Sequence, residues 1–300
     1  MRSFTAIFTA AAIFAASNSR AAFNADIDKT AEAIAETIVQ FQNQGLIPSP
    51  VPSEAFQPTA ALTLTYPKTG VVALGQRVSA DAVSSTPSWS LDIPASQAAT
   101  FQNKLFTAIV ADPGAPSSNY SGLVVRHALV NNLTLSSDGT LKNTSAFVEN
   151  YMGPAPPAGS GPHRYMTLIV AQPSGFSAPA NLSQPNTPLI TNWTLSQYLS
   201  QANLGPIVAA SYFIVQNGKT TASSVTTVPD LNTASISATA AALETKFSTS
   251  TAAASTTSGA SPSSSGNKGA GFANVQLSGV SSVLGISAGA ALAGAVALLL

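Results

Sequence analysis

The stretch YMGPAPPAGSGPHRYMTLIVAQP, Tyr151 to Pro173, joins a stiff loop to an apolar strand. Four prolines and three glycines lie between Tyr151 and Met166, so this first half cannot form a regular helix or strand. The second half, RYMTLIVAQP, has the length and the β-branched and aromatic content of a strand. His163 and Arg164 stand where the loop meets the strand, and the chain has 2 histidines in all. A histidine at so rigid a junction is a candidate functional residue, to be weighed with the rest of the sequence.

Five other runs share this strand character and are bounded by Gly, Pro, Asn or Asp: ALTLTYP, WSLDIP, LFTAIVADP, LVVRHALVNN and PIVAASYFIVQNG. Two amphipathic helices are predicted, one from Asp26 to Gly45 and one within NWTLSQYLSQANLG. Strands and helices do not alternate along the chain, which argues against a parallel sheet. We therefore expect a mostly β fold, an antiparallel β-sandwich with a few peripheral helices.

The composition excludes several classes of protein. Cysteine is absent, so no disulfide framework holds the fold together. The 12 basic residues balance the 12 acidic residues and form no basic run, which argues against nucleic acid as a partner and against direct attraction to anionic membranes. The globular part is long enough to bury about 70% of its unfolded surface and to depend on its own core.

Both ends of the chain have the pattern of processing signals. Arg2 precedes an apolar run that ends in small residues, which is typical of a secretory signal peptide. Residues 280–300 form an uncharged apolar tail behind small residues and a polar spacer, as a GPI-attachment signal requires, with Asn267 or Gly269 as the attachment site. A C-terminal tail anchor is the alternative. The predicted organisation is a signal peptide (1–21), an N-terminal helix (22–45), a globular domain (46–218), a Ser/Thr/Ala-rich stalk (219–268) and a removed attachment signal (269–300).

This organisation predicts passage through the secretory pathway to the cell surface, with the protein held at the outer leaflet or the cell wall through a GPI lipid. The stalk has few aromatic or charged residues and is expected to be extended and O-glycosylated, apart from a weak helical patch, ATAAALETKF. A wall-protein-like stalk of this kind fits a fungal source. Five sequons are potential N-glycan sites expected on loops: Asn119, Asn132, Asn143, Asn181 and Asn192.

Three polar residues of the globular domain stand at positions suited to chemistry: Asp112 closes one predicted strand, His127 lies inside another, and His163 opens a third. Each alone has an ordinary explanation: Asp112 as a turn former before Pro113, His127 as a core histidine with a hydrogen-bond partner, and His163 as an exposed strand start. Together, with rigid proline turns beside them, they predict a small preorganised polar pocket.

The sequence leaves several uses of such a pocket open. A serine triad needs a nucleophile beside a histidine, and no serine is marked as one by its context. A zinc site needs three or four ligands; the two histidines and Asp112 could supply three, but no paired-ligand spacing supports a metal. Binding of an anion is the simplest use, since imidazoles and loop N–H groups donate to phosphate oxygens. No cofactor and no metal is expected.

Three motifs resemble those of the phosphatidylethanolamine-binding proteins. ADPGAPS is similar to the family's D-P-D-x-P loop, with Gly114 at the second Asp, and VVRHALVNN is similar to its histidine strand. GPAPPAGSGPHRY resembles its G-x-x-P-P-x-G-x-G-x-H-R-Y element. Order and spacing also agree, and the likeness runs from about Leu46 to Gln216.

The resemblance implies a β-sandwich with a small anion pocket for phosphate-like head groups. It also implies a cis peptide bond between Ala115 and Pro116. The residues that it places around the pocket are Asp112, Pro116, His127, Ala155, Pro157, His163 and Tyr165.

Members of this family include lipid-head-group binders, kinase regulators, serine-peptidase inhibitors and plant developmental signals. The signal peptide argues against a cytosolic kinase as partner. The expected function is that of a non-enzymatic cell-surface protein that binds a small anionic or phosphorylated ligand such as a phospholipid head group. One alternative is an inhibitor of serine carboxypeptidases that acts through surface loops, and another is a structural cell-wall protein.

Overall fold

The computed structural model describes residues 23–24, 26–116, 123–180, 183, 193–219 and 231–256. Within these residues, nine strands form two sheets, and four α-helices lie around them. The strands are β1 (Phe23–Asn24), β2 (Ala61–Tyr66), β3 (Gly70–Val72), β4 (Ser88–Pro94), β5 (Leu105–Asp112), β6 (Val125–Leu135), β7 (Leu141–Asn143), β8 (Pro162–Ala171) and β9 (Ile207–Gln216). The helices are α1 (Ile27–Asn43), α2 (Ala98–Phe101), α3 (Leu195–Gln201) and α4 (Thr233–Thr256), with single 3₁₀ turns at Asp81–Val83 and Ala95–Gln97.

The predicted mostly β, antiparallel sandwich is confirmed. One sheet has the order β1-β4-β2-β3 and the other the order β7-β6-β5-β8-β9. Within the described residues every pairing between named strands is antiparallel except that of the short β1 with β4. All six strands predicted from the sequence are present, and α3 lies inside the predicted late helix.

The five-stranded sheet is covered on both faces. On β5, Phe106, Ala108 and Val110 belong to the core between the sheets, whereas Ile109 and Ala111 belong to a second core beneath α3 and the segment that follows α1. Strands that are buried on both faces need apolar side chains at every position instead of at every second one. This explains why LFTAIVAD and IVAASYFIV are nearly continuous apolar runs.

Three neighbouring strands, β6, β5 and β8, have their termini at the same end of this sheet. Because β5 runs antiparallel to both β6 and β8, its last residues lie beside the first residues of its two neighbours. Asp112 is paired with Val125 of β6, and Ala111 is paired with Met166 of β8. The predicted convergence of Asp112, His127 and His163 therefore follows from strand direction.

Helix α1 begins and ends at the residues that the sequence marks. Asp26 is its N-cap and accepts a hydrogen bond from the backbone N–H of Lys29 at 3.4 Å. Gly45, with φ of 62°, follows the last turn in the left-handed conformation that glycine adopts most readily. The helix buries Ile34 and Phe41, so it packs against the globular domain.

Helix α4 differs from the extended stalk expected over residues 219–268. Its side chains Ile236, Ala240, Leu243 and Phe247 pack against α1, and Phe247 is fully buried. These four residues recur at spacings of four, three and four, which places them on one face of a helix. The Ser/Thr/Ala composition obscured this stripe, of which the predicted patch ATAAALETKF contains three members. Within the described part of the chain, no helix has the length and hydropathy needed to cross a membrane.

The potential glycan sites have different surroundings. Asn132 was expected on a loop, which was wrong: it lies inside β6 with φ of 59°, where the pairing with β5 shifts register. An extra residue in one strand produces such a shift, and asparagine tolerates the left-handed backbone. Asn143 is exposed at the end of β7. The signal peptide, the attachment signal and the following expected sites lie outside the described residues: Asn119, Asn181, Asn192, Asn267 and Gly269.

Candidate functional site

Four of the predicted site residues form a buried cluster at this end of the sheet, here called the histidine pocket: Asp112, His127, His163 and Tyr165. Asp112 ends β5, His127 is the third residue of β6, and His163 and Tyr165 lie near the start of β8. All four side chains are buried. Buried polar groups require hydrogen-bond partners, and these partners define what the pocket can do.

Asp112 and His163 form the central interaction of the histidine pocket. His163 Nδ1 donates to Asp112 Oδ2 at 2.7 Å, and the backbone N–H of Gly114 donates to Asp112 Oδ1 at 2.6 Å. Gly114 has φ of 84°, which turns the chain back so that its N–H reaches the carboxylate two residues earlier. The carboxylate therefore holds the imidazole in one orientation while the loop holds the carboxylate.

The second nitrogen of His163 also has a partner. Its Nε2 lies 2.9 Å from Ser160 Oγ, and the same hydroxyl lies 2.7 Å from the carbonyl oxygen of Pro157. Ser160 is half-buried in the loop GSGPH, between Gly159 and Gly161 with φ of 76° and 97°. Ser160 was not predicted from the sequence. Its distance of three residues from His163, across a glycine, was the available signal.

His127 is held in place by one hydrogen bond. Its Nδ1 lies 2.7 Å from the carbonyl oxygen of Met152, which must accept, so Nδ1 carries a proton. Met152 is positioned because its own N–H donates to the carbonyl of His127 at 2.8 Å. Burial is the main cause that lowers the pKa of His127. The ring is therefore neutral at pH 7, and its Nε2 is the nitrogen left for a ligand.

Aromatic side chains form the inner wall of the histidine pocket. Tyr165 packs edge-on against His127 with ring centroids 5.0 Å apart, and it stacks on Phe213 at 5.5 Å. The Tyr165 hydroxyl interacts with the carboxylate of Asp112 and the backbone of Ala155, and burial followed by the Asp112 charge raises its pKa. Beyond Phe213, Tyr66 and Tyr151 lie with their hydroxyls 3.2 Å apart. Burial raises the pKa of Tyr151 to about 12.

The remaining predicted residues contribute less directly. Ala155 and Pro157 are exposed and join the site through main-chain atoms, whereas Pro116 is buried at the end of the loop 112–116, here called the pocket loop. The predicted cis bond between Ala115 and Pro116 was wrong, since the cis bonds in the described chain precede Pro48 and Pro50. Gly114 already makes the turn with its positive φ, so the trans bond, which is favoured by about 0.5–1 kcal/mol, suffices.

Each histidine has an arginine neighbour on its strand. Arg126 points away from His127, as predicted from strand alternation, and forms a buried ion pair with Glu149 at 3.2 Å. Arg164 donates through Nε to the carbonyl of Gly114 at 2.9 Å and through Nη2 to that of Ala115 at 3.1 Å. Its Nη1 donates to the carbonyl of Gln44 behind α1.

The chemistry of the histidine pocket follows from these contacts. The described residues include no group of three or more His, Cys, Asp or Glu side chains arranged to hold a metal ion. The pocket can accept or donate at His127 Nε2, and it is rigid because every ring is held by a hydrogen bond or by stacking. The cluster therefore offers one oriented ring nitrogen, His127 Nε2, in rigid surroundings.

Comparisons with known proteins identify the family. The family model for phosphatidylethanolamine-binding protein matches residues 52–213. The chain belongs to the phosphatidylethanolamine-binding protein family. It is similar to the carboxypeptidase Y inhibitor of Saccharomyces cerevisiae, with 30% identity over 167 residues that cover 47% of this chain and 76% of the inhibitor.

Two solved structures are also similar to this chain. The carboxypeptidase Y inhibitor in complex with its cognate proteinase is 23% identical, with a TM-score of 0.51 over 64% of this chain and 98% of the inhibitor. The phosphatidylethanolamine-binding protein from Plasmodium vivax is 16% identical, with a TM-score of 0.48 over 61% of this chain and 97% of that one.

Proposed function

We propose that this protein binds a small phosphorylated or otherwise anionic ligand at the histidine pocket, without turnover of that ligand. The observation that carries the proposal is the orientation of His127. The carbonyl of Met152 accepts a hydrogen bond from Nδ1–H, so the opposite nitrogen is left for a ligand beside Tyr165. Prolines in the loop 154–162 hold the wall in place before binding, which lowers the entropic cost of ordering it.

The state of His127 adds a condition on the ligand. In a neutral ring whose Nδ1 donates, Nε2 is an acceptor and repels an unprotonated anion oxygen. Asp112 adds a negative charge nearby, balanced by its hydrogen bonds from His163 and Gly114. A ligand therefore either donates its own P–OH to Nε2 or causes the ring to take up a proton. Ligand binding is expected to be coupled to protonation and to strengthen as the pH falls from about 7.5 to 6.

Phosphoethanolamine is the probe that tests this proposal. In NMR spectra of the full chain, millimolar phosphoethanolamine should shift the ring resonances of His127 because a charged oxygen contacts Nε2. With 2 histidines in the chain, the variant His127→Gln assigns the two sets of resonances directly. The same variant should lose binding measured by calorimetry. Ring resonances that stay unchanged at millimolar ligand would exclude the proposal.

Three titrations separate the possible sources of the anion. Inorganic phosphate tests the shared chemistry, phosphoethanolamine tests the head group, and ethanolamine tests the amine alone. If phosphoethanolamine binds more tightly than phosphate, the amine contributes contacts and a lipid head group is favoured. Equal affinities would favour any small phosphate ester. Calorimetry in two buffers of different ionisation enthalpy measures the expected proton uptake.

Inhibition of a serine carboxypeptidase is the second function supported by an observation. The similar protein from S. cerevisiae is named a carboxypeptidase Y inhibitor, and the alignment spans most of that inhibitor. An inhibitor of this kind needs surface loops that fit a peptidase rather than the buried pocket. The proline-rich loop that exposes Ala155 and Pro157 is the candidate surface.

An assay of peptidase activity decides between the two functions. Carboxypeptidase Y and related serine carboxypeptidases are titrated with the full chain at micromolar concentration. Inhibition that persists in His127→Gln would assign it to the surface rather than to the histidine pocket. Undiminished hydrolysis across the panel would exclude the inhibitor function and leave pocket binding untouched.

We also propose that the protein reaches the cell surface and is held there by a GPI lipid. The support is the apolar run that begins the chain and the uncharged tail from Val280 behind the small residues around Asn267. Phosphatidylinositol-specific phospholipase C should release the protein from intact cells. Replacing residues 266–270 with bulky side chains should prevent attachment. Retention on cells after phospholipase treatment would contradict the proposal and favour a tail anchor.

A further inference from the structure

Ser160, His163 and Asp112 are connected by two consecutive hydrogen bonds. Ser160 Oγ lies 2.9 Å from His163 Nε2, and His163 Nδ1 lies 2.7 Å from Asp112 Oδ2. A hydroxyl beside an imidazole that is in turn oriented by a carboxylate is the arrangement that activates serine nucleophiles. Binding of an anion at His127 does not require this arrangement.

The direction of each hydrogen bond follows from the partners. Asp112 Oδ1 already accepts a hydrogen bond from Gly114, and Oδ2 accepts one from His163 Nδ1–H. In the neutral ring, Nε2 is then a lone pair and accepts the hydroxyl proton of Ser160. When the ring is protonated, Nε2 donates instead, and the hydroxyl turns to the carbonyl of Pro157 at 2.7 Å. The hydroxyl of Ser160 thus has a hydrogen-bond acceptor both before and after His163 takes a proton.

We propose that Ser160 is a nucleophile that small activated acyl esters acylate, with His163 as its general base. Ser160 Oγ forms a bond to the carbonyl carbon of the ester while its proton passes to His163 Nε2. Asp112 stabilises the imidazolium that results. The bond from the carbonyl carbon to the leaving alcohol oxygen then breaks, and His163 returns the proton to that oxygen. The products are an acyl-Ser160 ester and a free alcohol, so atoms and charge balance.

The surroundings of Ser160 limit the substrate to small acyl groups. Ser160 is half-buried, between the buried His163 and the exposed Pro157, so solvent reaches part of this residue. The N–H groups of Gly159 and Ser160 donate to the carbonyls of Asn217 and Pro157, so neither is available to a developing oxyanion. The reaction therefore requires a good leaving group. Acylation is stoichiometric and goes beyond the proposed binding function without conflicting with it.

Acetylation by 4-nitrophenyl acetate tests the proposal on the full chain. The sites and rates are measured by peptide mapping with mass spectrometry. Ser145 is the internal control, because it is also half-buried but its hydroxyl donates to the carbonyl of Asn131 at 3.1 Å and has no histidine beside it. General-base assistance contributes about 100-fold or more, so Ser160 should be acetylated about 100 times faster than Ser145.

Variants test whether His163 causes the faster acetylation of Ser160. Ser160→Ala should remove the acetyl group from the peptide that contains residue 160, whereas Ser145→Ala should leave it there. His163→Gln should slow the acetylation of Ser160 about 100-fold. Equal rates at Ser160 and Ser145 in the unaltered protein would overturn the proposal whether or not any variant folds. An unchanged rate at Ser160 in folded His163→Gln would also overturn it. Neither outcome affects the NMR test of anion binding.

Discussion

Strands β6 and β8 each present a histidine on one face and an arginine on the other, and the two faces differ in their contacts. Each strand carries a histidine and an arginine side by side, His127 with Arg126 and His163 with Arg164. Because neighbouring side chains on a strand point to opposite faces, the histidines meet in the pocket and the arginines lie on the other side of the sheet. The histidine face forms the buried cluster of hydrogen-bonded rings, and the arginine face joins separate chain segments.

The two arginines differ in their partners. Arg126 has a carboxylate, that of Glu149, and lies 5.7 Å from the ring of Trp193. Arg164 donates to three main-chain carbonyls, which belong to the pocket loop and to Gln44 behind α1. Burial lowers the pKa of Arg164 to about 10, and the charge of Asp112 opposes this, so the guanidinium stays protonated at pH 7. A buried cation can therefore join separate chain segments through carbonyl groups.

The largest effect is expected from Arg164→Met. The substitution removes three hydrogen bonds from a charged donor, each of which contributes about 1.5–3 kcal/mol, and leaves buried carbonyls without that donor. The free energy of unfolding, measured by urea denaturation, should fall by about 5 kcal/mol. Arg77→Met is the matched control, since Arg77 is exposed and donates to the Gln216 side chain at 3.1 Å. Equal losses in both variants would contradict the role assigned to the arginine face.

A smaller loss of stability is expected from Glu149→Gln. The amide keeps the shape of the side chain but removes the negative charge that compensates buried Arg126. Breaking a buried pair in this way costs about 3 kcal/mol in the free energy of unfolding. Glu54→Gln, at an exposed position, should change stability by less than about 0.5 kcal/mol. If Glu149→Gln left the free energy of unfolding unchanged, buried Arg126 would not depend on the carboxylate.

Much of the fold could be predicted from local sequence patterns. Six apolar runs bounded by turn residues became strands, and Asp26 and Gly45 delimit α1. The short strands β3 and β7, at three residues each, lie below the length at which a pattern can be read. Helix α4 was obscured because its apolar stripe is diluted by Ser, Thr and Ala on the remaining faces, so composition alone indicated an unfolded segment.

The histidine pocket was predicted in outline, but its hydrogen bonds were not. Asp112, His127 and His163 were conspicuous because charge and histidine are rare in this chain. The partners of the two rings, Met152 and Ser160, are ordinary residues of an irregular loop whose path depends on tertiary packing. The trans bond before Pro116 was missed for a similar reason, since the turn depends on Gly114 rather than on the proline.

The smallest effect concerns the dependence of stability on pH and tests the histidine face. Burial lowers the pKa of His127 in the fold, assisted by His163 and opposed by the Met152 carbonyl and the carboxylates of Asp112 and Glu149. The unfolded chain, with a histidine pKa of about 6.5, binds the proton more readily, so stability is complete above about pH 6.5 and falls as the pH drops towards the folded pKa. The loss is at most about 1.4 kcal/mol per pH unit.

This pH dependence separates His127 from the other titrating groups when His127→Gln is compared with the unaltered protein. Urea unfolding at intervals between about pH 7.5 and 5 should show a shallower fall in stability for the variant, because glutamine does not take up the proton. At pH 7 the two proteins should differ by about 1 kcal/mol, the usual contribution of one neutral hydrogen bond such as that to Met152. Parallel pH curves would mean that His127 titrates normally in the fold, and the argument for proton uptake on ligand binding would fail with it.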